Sequence, residues 1–166
     1  VIARSGWSKQ GGFEIYVAGG HYGLPLGNIL VEQGRAMHVR MGGPILIERI
    51  EGGLLSYGSD IRRDNSPVEA GLTRFCNSPA EYIGKKEIER QKLNGPSRQI
   101  RPVEIDGAGD LPHNGSGWDV IDGSRKVGLI ASSAWSPDFE TNVAIGMIDK
   151  SHWHPGTRLE VHTKHG

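Results

Sequence analysis

After the Gly95-Pro96 pair the chain turns into a succession of short strand-like runs separated by turn residues. The runs fall at 99–105, 117–121, 126–133, 143–148 and 158–163, each built around Ile, Val, Leu or Trp. "DGSRK" (122–126) reads as a hairpin loop and "HPGT" (154–157) as a turn. Short strands at even spacing over roughly 70 residues predict a small antiparallel β-barrel or sandwich, because no single run is long enough to bury its apolar side without neighbours.

The preceding half has a different texture. A glycine-rich loop, "RSGWSKQGG", runs into "GFEIYVA" (12–18), whose alternation predicts a strand with Phe13, Ile15 and Val17 on one side and Glu14 and Tyr16 on the other. Residues 23–36 predict a helix with Pro25 in its first turn, "MHVRM" (37–41) a short strand, and "GGP" (42–44) a break. In 45–58, Leu46, Ile50 and Leu54 form one helical stripe, although Gly52 and Gly53 each weaken a helix by about 1 kcal/mol relative to Ala. Glycines there suggest close approach by another backbone or a ligand. Residues 59–78 are turn-rich and read as a crossover between two lobes. In 78–94, Ser78, Pro79 and Glu81 have the order of a capping box that opens a helix, and Gly95-Pro96 closes it. The expected fold is α+β, divided near residue 78 into segments 1–78 and 79–166.

Charge excludes some function classes. Lys plus Arg and Asp plus Glu number 19 each, so no net field draws the chain to nucleic acid or acidic lipid. No apolar run approaches the roughly 20 residues of a bilayer-crossing helix. The single cysteine, Cys76, leaves no internal disulfide, suits a reducing, cytoplasmic setting, and reads as a small buried hydrophobe. Because Val1 stands within what reads as a structured motif, the chain is expected to be the C-terminal part of a longer protein.

Two groups of side chains could carry chemistry. Glu14 can point to solvent, but with Tyr16 beside it and Trp7 in the preceding loop it can also serve a flat heterocycle. The aromatic groups would wall such a ring while the carboxylate accepts from adjacent N–H donors. Arg49 and Tyr57 share a face if the 45–58 segment is helical throughout; the alternative is that Glu48 and Glu51 pair with Arg49 or Arg62 as exposed ion pairs of little energetic weight. His152 and His154 fall on one face of a strand, yet with His162 and His165 they lack a carboxylate or cysteine at ligand spacing, so no metal is expected. "GAGDLPHNGSG" (107–117) lacks the strand and helix that flank a dinucleotide loop. "SSAWSPDF" (132–139) lacks a nucleophile elbow, which disfavours a hydrolase.

Together, "RSGWSKQGGFEIYV", "RIEGGLLSYGSDI", "SPVEAGL", "YIGKKEI" and "SSAWSPDFETNVAIGMI" resemble the C-terminal part of the glycine-cleavage T-protein (aminomethyltransferase) superfamily. The usual R-T-G-Y-T-G-E-D-G-F-E-I of that family has Trp7, Lys9 and Gln10-Gly11 at the positions of its tyrosine, second glycine and acidic pair. Those departures resemble its dimethylsulfoniopropionate-demethylating branch. The resemblance implies a partial ferredoxin-like folate-binding lobe (1–78, with the crossover) followed by a C-terminal antiparallel β-barrel (79–166). It implies tetrahydrofolate as cofactor, with Glu14 holding the pterin and Arg49 and Tyr57 lining the cavity. Trp7 and Tyr16 would wall the small-molecule sulfonium substrate or the folate, and Lys9 would meet the substrate's carboxylate. The implied activity is transfer of an S-methyl group to tetrahydrofolate; a glycine-cleavage-type aminomethyltransferase and a non-catalytic folate-binding relative are the alternatives. The family's key acid belongs to a part preceding these residues, so no catalytic residue is assigned and this segment alone is expected to be inactive. A family arginine near the C-terminus has Lys164 as its one candidate counterpart.

Overall fold

The computed structural model describes residues 1–7, 11–107, 111 and 117–163. Backbone contacts gather the chain into two units, Val1–Leu54 and Leu55–Gly166.

In the first unit, β1 (Ile2–Ala3) pairs antiparallel with β2 (Glu14–Ile15), Ile2 opposite Ile15 and Ala3 opposite Glu14. The Tyr16 N–H donates to the Val1 carbonyl at 2.8 Å and extends the ladder by one bond. β2 is much shorter than the strand expected over 12–18, because a strand lasts only while a partner runs beside it. Its expected core side is not covered either: Phe13, Ile15 and Val17 are all exposed. Alternation marks two faces without saying that anything packs on one of them.

Helix α1 (Gly23–Gln33) carries Pro25 in its first turn, where the missing N–H costs nothing. It closes at Gly34, whose N–H donates to the Leu30 carbonyl at 2.9 Å. A 3-10 turn, Arg35–Met37, then runs to His38 in the left-handed region, so the strand expected at 37–41 does not form. Helix α2 is only Leu46–Glu51. Gly53, at φ +63°, turns the chain out of it, and a Cβ there would meet nothing within 4 Å. Gly53 therefore ends the helix by its conformational freedom and not by admitting a close neighbour. Arg49 and Tyr57 consequently do not share a helical face.

The second unit is built on a five-stranded sheet of β3 (Arg98–Ile105), β4 (Trp118–Asp122), β5 (Arg125–Ser136), β6 (Thr141–Asp149) and β7 (Glu160–His162), in the order β3-β6-β5-β4-β7. Every pairing is antiparallel. The fold is thus mixed α and β with an antiparallel C-terminal sheet, and its five strands fall on the five expected runs. Ile105, Trp118, Val120, Val127, Ile130, Ala144 and Ile148 form the core, with Trp153 and Val161 packed at its edge. Helix α3 (Lys85–Asn94) starts later than expected: the Ser78 hydroxyl accepts from Ala80 N–H at 3.2 Å, a local turn that replaces the helix cap. Gly84 stands at the cap instead, and Gly95 ends the helix as expected.

Residues 55–78 pack on this sheet. Ile100 N–H donates to the Glu69 carbonyl at 2.8 Å, and Gln99 donates to the Val68 carbonyl at 3.0 Å. The buried Glu69 carboxylate takes Arg98 Nε at 2.9 Å and Ser66 N–H at 2.8 Å, and its hydrogen bond raises the Arg98 pKa above the ordinary value. Cys76 is half-buried and donates to the Leu72 carbonyl. Among the described residues no helix is long and apolar enough to cross a membrane.

Candidate functional site

Four of the six residues expected to bind ligands lie in the first unit and are described: Trp7, Glu14, Tyr16 and Arg49. Lys9 lies outside the described residues, as does Lys164. Arg49 stands on α2 and is 2 % exposed, an unusual position for a guanidinium unless it is held. Its Nη1 donates to the Leu54 carbonyl at 3.0 Å, across the turn that Gly53 makes, while Leu54 N–H returns a bond to the Arg49 carbonyl at 2.8 Å. The Arg49 guanidinium also lies over the Trp7 indole, with Cζ 5.6 Å from the ring centroid. The structure thus brings together a loop residue and a helix residue that sequence spacing did not connect. Trp7 remains 42 % exposed, so an indole held by a cation on one side still presents surface to solvent.

Glu14 sits on β2, exposed, and its Oε2 accepts a hydrogen bond from the Ser5 hydroxyl. Among the described residues that hydroxyl is the carboxylate's one hydrogen-bond donor, and Oε1 faces none. Tyr16 is 57 % exposed. The arrangement offers one carboxylate oxygen oriented by a neighbouring hydroxyl, with aromatic side chains nearby in the chain.

Tyr57 belongs to the second unit. It projects from a tight turn at 56–61 and is 72 % exposed. The same turn carries a polar group that sequence reading passed over. Asp60, 5 % exposed, accepts from Ser56 N–H at 2.7 Å through Oδ2 and from the Ser132 hydroxyl at 2.6 Å through Oδ1. The sequence signal was the acid of "LSYGSDI"; what it lacked was any hint that the serine of "SSAWSPDF", distant in the chain, would meet it.

A cleft of about 280 Å³ in the second unit is lined by Asp60 and Ser59 together with Arg62, Arg98, Lys126 and Met147, but by none of the five described ligand candidates. Two of its cations already face carboxylates: Arg98 meets Glu69, and Lys126 meets Asp119 at 2.5 Å. His152 is in the 3-10 turn Lys150–His152 and not on a strand, a correction to the expected face shared with His154. Its Nε2 lies 3.0 Å from Asp122, and its Nδ1 lies 2.9 Å from the Ser151 hydroxyl. No group of three or more His, Cys, Asp or Glu among the described residues is placed to hold a metal ion.

Comparison with known proteins agrees with this architecture. Residues 1–79 match the family model of the GCVT N-terminal domain, and residues 98–166 match that of the glycine cleavage T-protein C-terminal barrel domain. The chain is 54 % identical over 166 residues to dimethylsulfoniopropionate demethylase DmdA of Ruegeria pomeroyi, covering all of this chain and 45 % of that protein. It is 31 % identical to an aminomethyltransferase of Oceanobacillus iheyensis, covering 97 % of this chain and 43 % of the other. The crystal structure of glycine cleavage system aminomethyltransferase T from Bartonella henselae superposes with a TM-score of 0.81 at 25 % identity, over 98 % of this chain and 45 % of that one. The chain spans less than half the length of these relatives. With both domain models matched in order and a like fold along nearly its whole length, the chain belongs to the glycine-cleavage T-protein (aminomethyltransferase) superfamily.

Proposed function

We propose that the protein to which this chain belongs is a cytoplasmic enzyme that demethylates dimethylsulfoniopropionate, moving one S-methyl group to N5 of tetrahydrofolate and releasing methylmercaptopropionate and 5-methyltetrahydrofolate. The observation that carries this reading is the 54 % identity, over every residue of the chain, to a dimethylsulfoniopropionate demethylase. In the transfer the S–CH3 bond breaks with its electron pair left on sulfur, an N–CH3 bond forms, and the N5 proton departs. Tetrahydrofolate, when bound, supplies the nucleophilic nitrogen.

This chain's own residues have binding and orienting to do. We assign Glu14, Arg49 and Tyr57 to the folate, and Trp7, Tyr16 and Lys9 to the sulfonium substrate. Residues 1–78 would then belong to the folate-binding domain with its crossover, and 79–166 to the barrel domain. The Ser5 hydroxyl turns one Glu14 oxygen and leaves the other for the pterin. Arg49 steadies the indole of Trp7 from one side. The exposed side of the indole offers a sulfonium an attraction of about 0.5–2 kcal/mol. That attraction weakens as charge leaves sulfur, so it serves binding more than rate. Most of the acceleration must come from holding methyl and acceptor in line, which is worth several kcal/mol in well-oriented systems.

The test is direct. The full-length protein, given tetrahydrofolate and dimethylsulfoniopropionate, is expected to form methyltetrahydrofolate in step with methylmercaptopropionate. Turnover on an aminomethyl carrier protein, with no methylated folate from the sulfonium compound, would replace this reading by the aminomethyltransferase one, which the relatives at about 30 % identity keep in view. Folate binding without either turnover would make the protein a non-catalytic relative.

A further inference from the structure

We infer that Asp60 and Ser132 are positioning residues for Tyr57. This deepens the assignment of Tyr57 to the folate and rests on it.

Tyr57 has a problem of orientation. Its phenol is largely exposed, so packing does not hold it, and a ligand that needs the ring in one place would otherwise bear the entropy of ordering it. What can be ordered in advance is the backbone under the ring, and residues 56–61 are tied unusually closely. The Ser56 carbonyl accepts from Asp60 N–H at 2.9 Å, with the N–H groups of Ser59 and Ile61 also directed at it, each at 3.4 Å. Gly58 N–H donates to the Ile61 carbonyl at 2.7 Å, and a β-bridge pairs Tyr57 with Ile61. Gly58 stands at φ +96°, a conformation open to glycine and strained for other residues.

Such a turn closes on itself but does not by itself choose a direction. Asp60 does that. One carboxylate oxygen holds Ser56 N–H, on the residue before Tyr57, and the other holds the Ser132 hydroxyl on β5. Ser59 lies 3.3 Å from the same hydroxyl. Ser132 is itself placed by a bulge: Ile130 pairs with Gly146 and Ser132 with Ile145, so Ala131 is the extra residue, and bulges of this kind re-aim the side chain that follows. A buried carboxylate is costly unless its oxygens are satisfied. At this position it joins the turn carrying Tyr57 to the rigid sheet.

The experiment is a double-mutant cycle on the full-length protein, with the dissociation constant of tetrahydrofolate measured calorimetrically and thermal unfolding followed alongside. Ser132→Ala is expected to raise the constant about fivefold, the size of one lost hydrogen bond, with the protein still folded. In a Tyr57→Ala background the same change is expected to have no further effect, because the side chain being positioned is gone. Asp60→Asn, which keeps an oxygen for Ser56 N–H, should show the same pattern at smaller size. If Tyr57→Ala alone leaves the constant unchanged, the folate assignment of Tyr57 falls and this inference with it. If Tyr57→Ala weakens binding while Ser132→Ala does not, or does so equally in both backgrounds, the folate assignment stands and the positioning role is overturned.

Discussion

The guanidinium of Arg49 lies 5.6 Å from the ring centroid of Trp7 and donates a hydrogen bond to the Leu54 carbonyl. Two consequences follow from that one relationship. The loop indole is held by a residue on another element, and the charge that holds it occupies one side of the ring.

For Trp7, the cation–π reading makes a charge-selective prediction. Trp7→Ala in the full-length protein should weaken binding of dimethylsulfoniopropionate more than binding of its neutral thioether analogue, with the excess corresponding to about 0.5–2 kcal/mol. Isothermal titration of both ligands reads the difference directly; equal losses would leave the indole as a wall and nothing more. Arg49→Lys keeps the charge but not the flat fork. It should lower unfolding free energy by about 1 kcal/mol, since the half-buried Leu54 carbonyl loses its guanidinium donor.

Glu14 should behave as a ligand residue and not as a surface acid. Replacing it by Ala removes a charge-assisted acceptor, and folate dissociation should rise about tenfold or more, from a loss of about 1.5–3 kcal/mol. Ser5→Ala, which frees the carboxylate to rotate, should give a smaller rise in the same titration. A flat response in both variants would take Glu14 out of the site.

Gly128 gives a prediction about stability alone. A Cβ there would stand 2.7 Å from the Met147 carbonyl oxygen and 2.7 Å from Ile148 Cδ1. The isoleucine can move; the carbonyl, part of the β6 backbone between β3 and β5, cannot without cost. Gly128→Ala should destabilise by about 1–3 kcal/mol in denaturant unfolding. Gly123→Ala, where a Cβ would meet nothing within 4 Å but φ is +61°, separates crowding from backbone strain.

The helix α3 carries a pH-dependent pair. Arg90 holds Glu87 with two hydrogen bonds, at 2.6 and 2.8 Å, and Gln91 adds a third at 2.8 Å. The Arg90 hydrogen bonds, then that of Gln91, pull the Glu87 carboxyl from 4.5 to about 2. A depressed carboxyl contributes stability that is fully present above the unfolded value of 4.5 and is lost as pH falls through about 2. The melting temperatures of the parent and Glu87→Gln should therefore differ slightly near neutral pH and converge between those two values. The pair is exposed, so the difference stays small.

Local rules account for much of this molecule. The five C-terminal strands, the hairpin at Gly123, the turn at 154–157, the Pro25 start of α1 and the Gly95 stop of α3 were legible because each depends on residues close in the chain. Trp7, Glu14, Tyr16, Arg49 and Tyr57 were legible as candidates from motif resemblance. Their geometry was not. Helix α2 stops at Glu51, so Arg49 and Tyr57 could not be joined by helical spacing, and Ser78 turned its hydroxyl to a local bond instead of capping a helix.

By itself the sequence determined which segments alternate, turn or coil, since propensity and periodicity act over a few residues. Only the tertiary structure decided which side chains meet: Arg49 with Trp7 across a loop and a helix, and Asp60 with Ser132 through a one-residue bulge in β5. The reason is the range of the forces. A buried charge is settled by whichever distant partner satisfies it, and no local pattern records the partner's name.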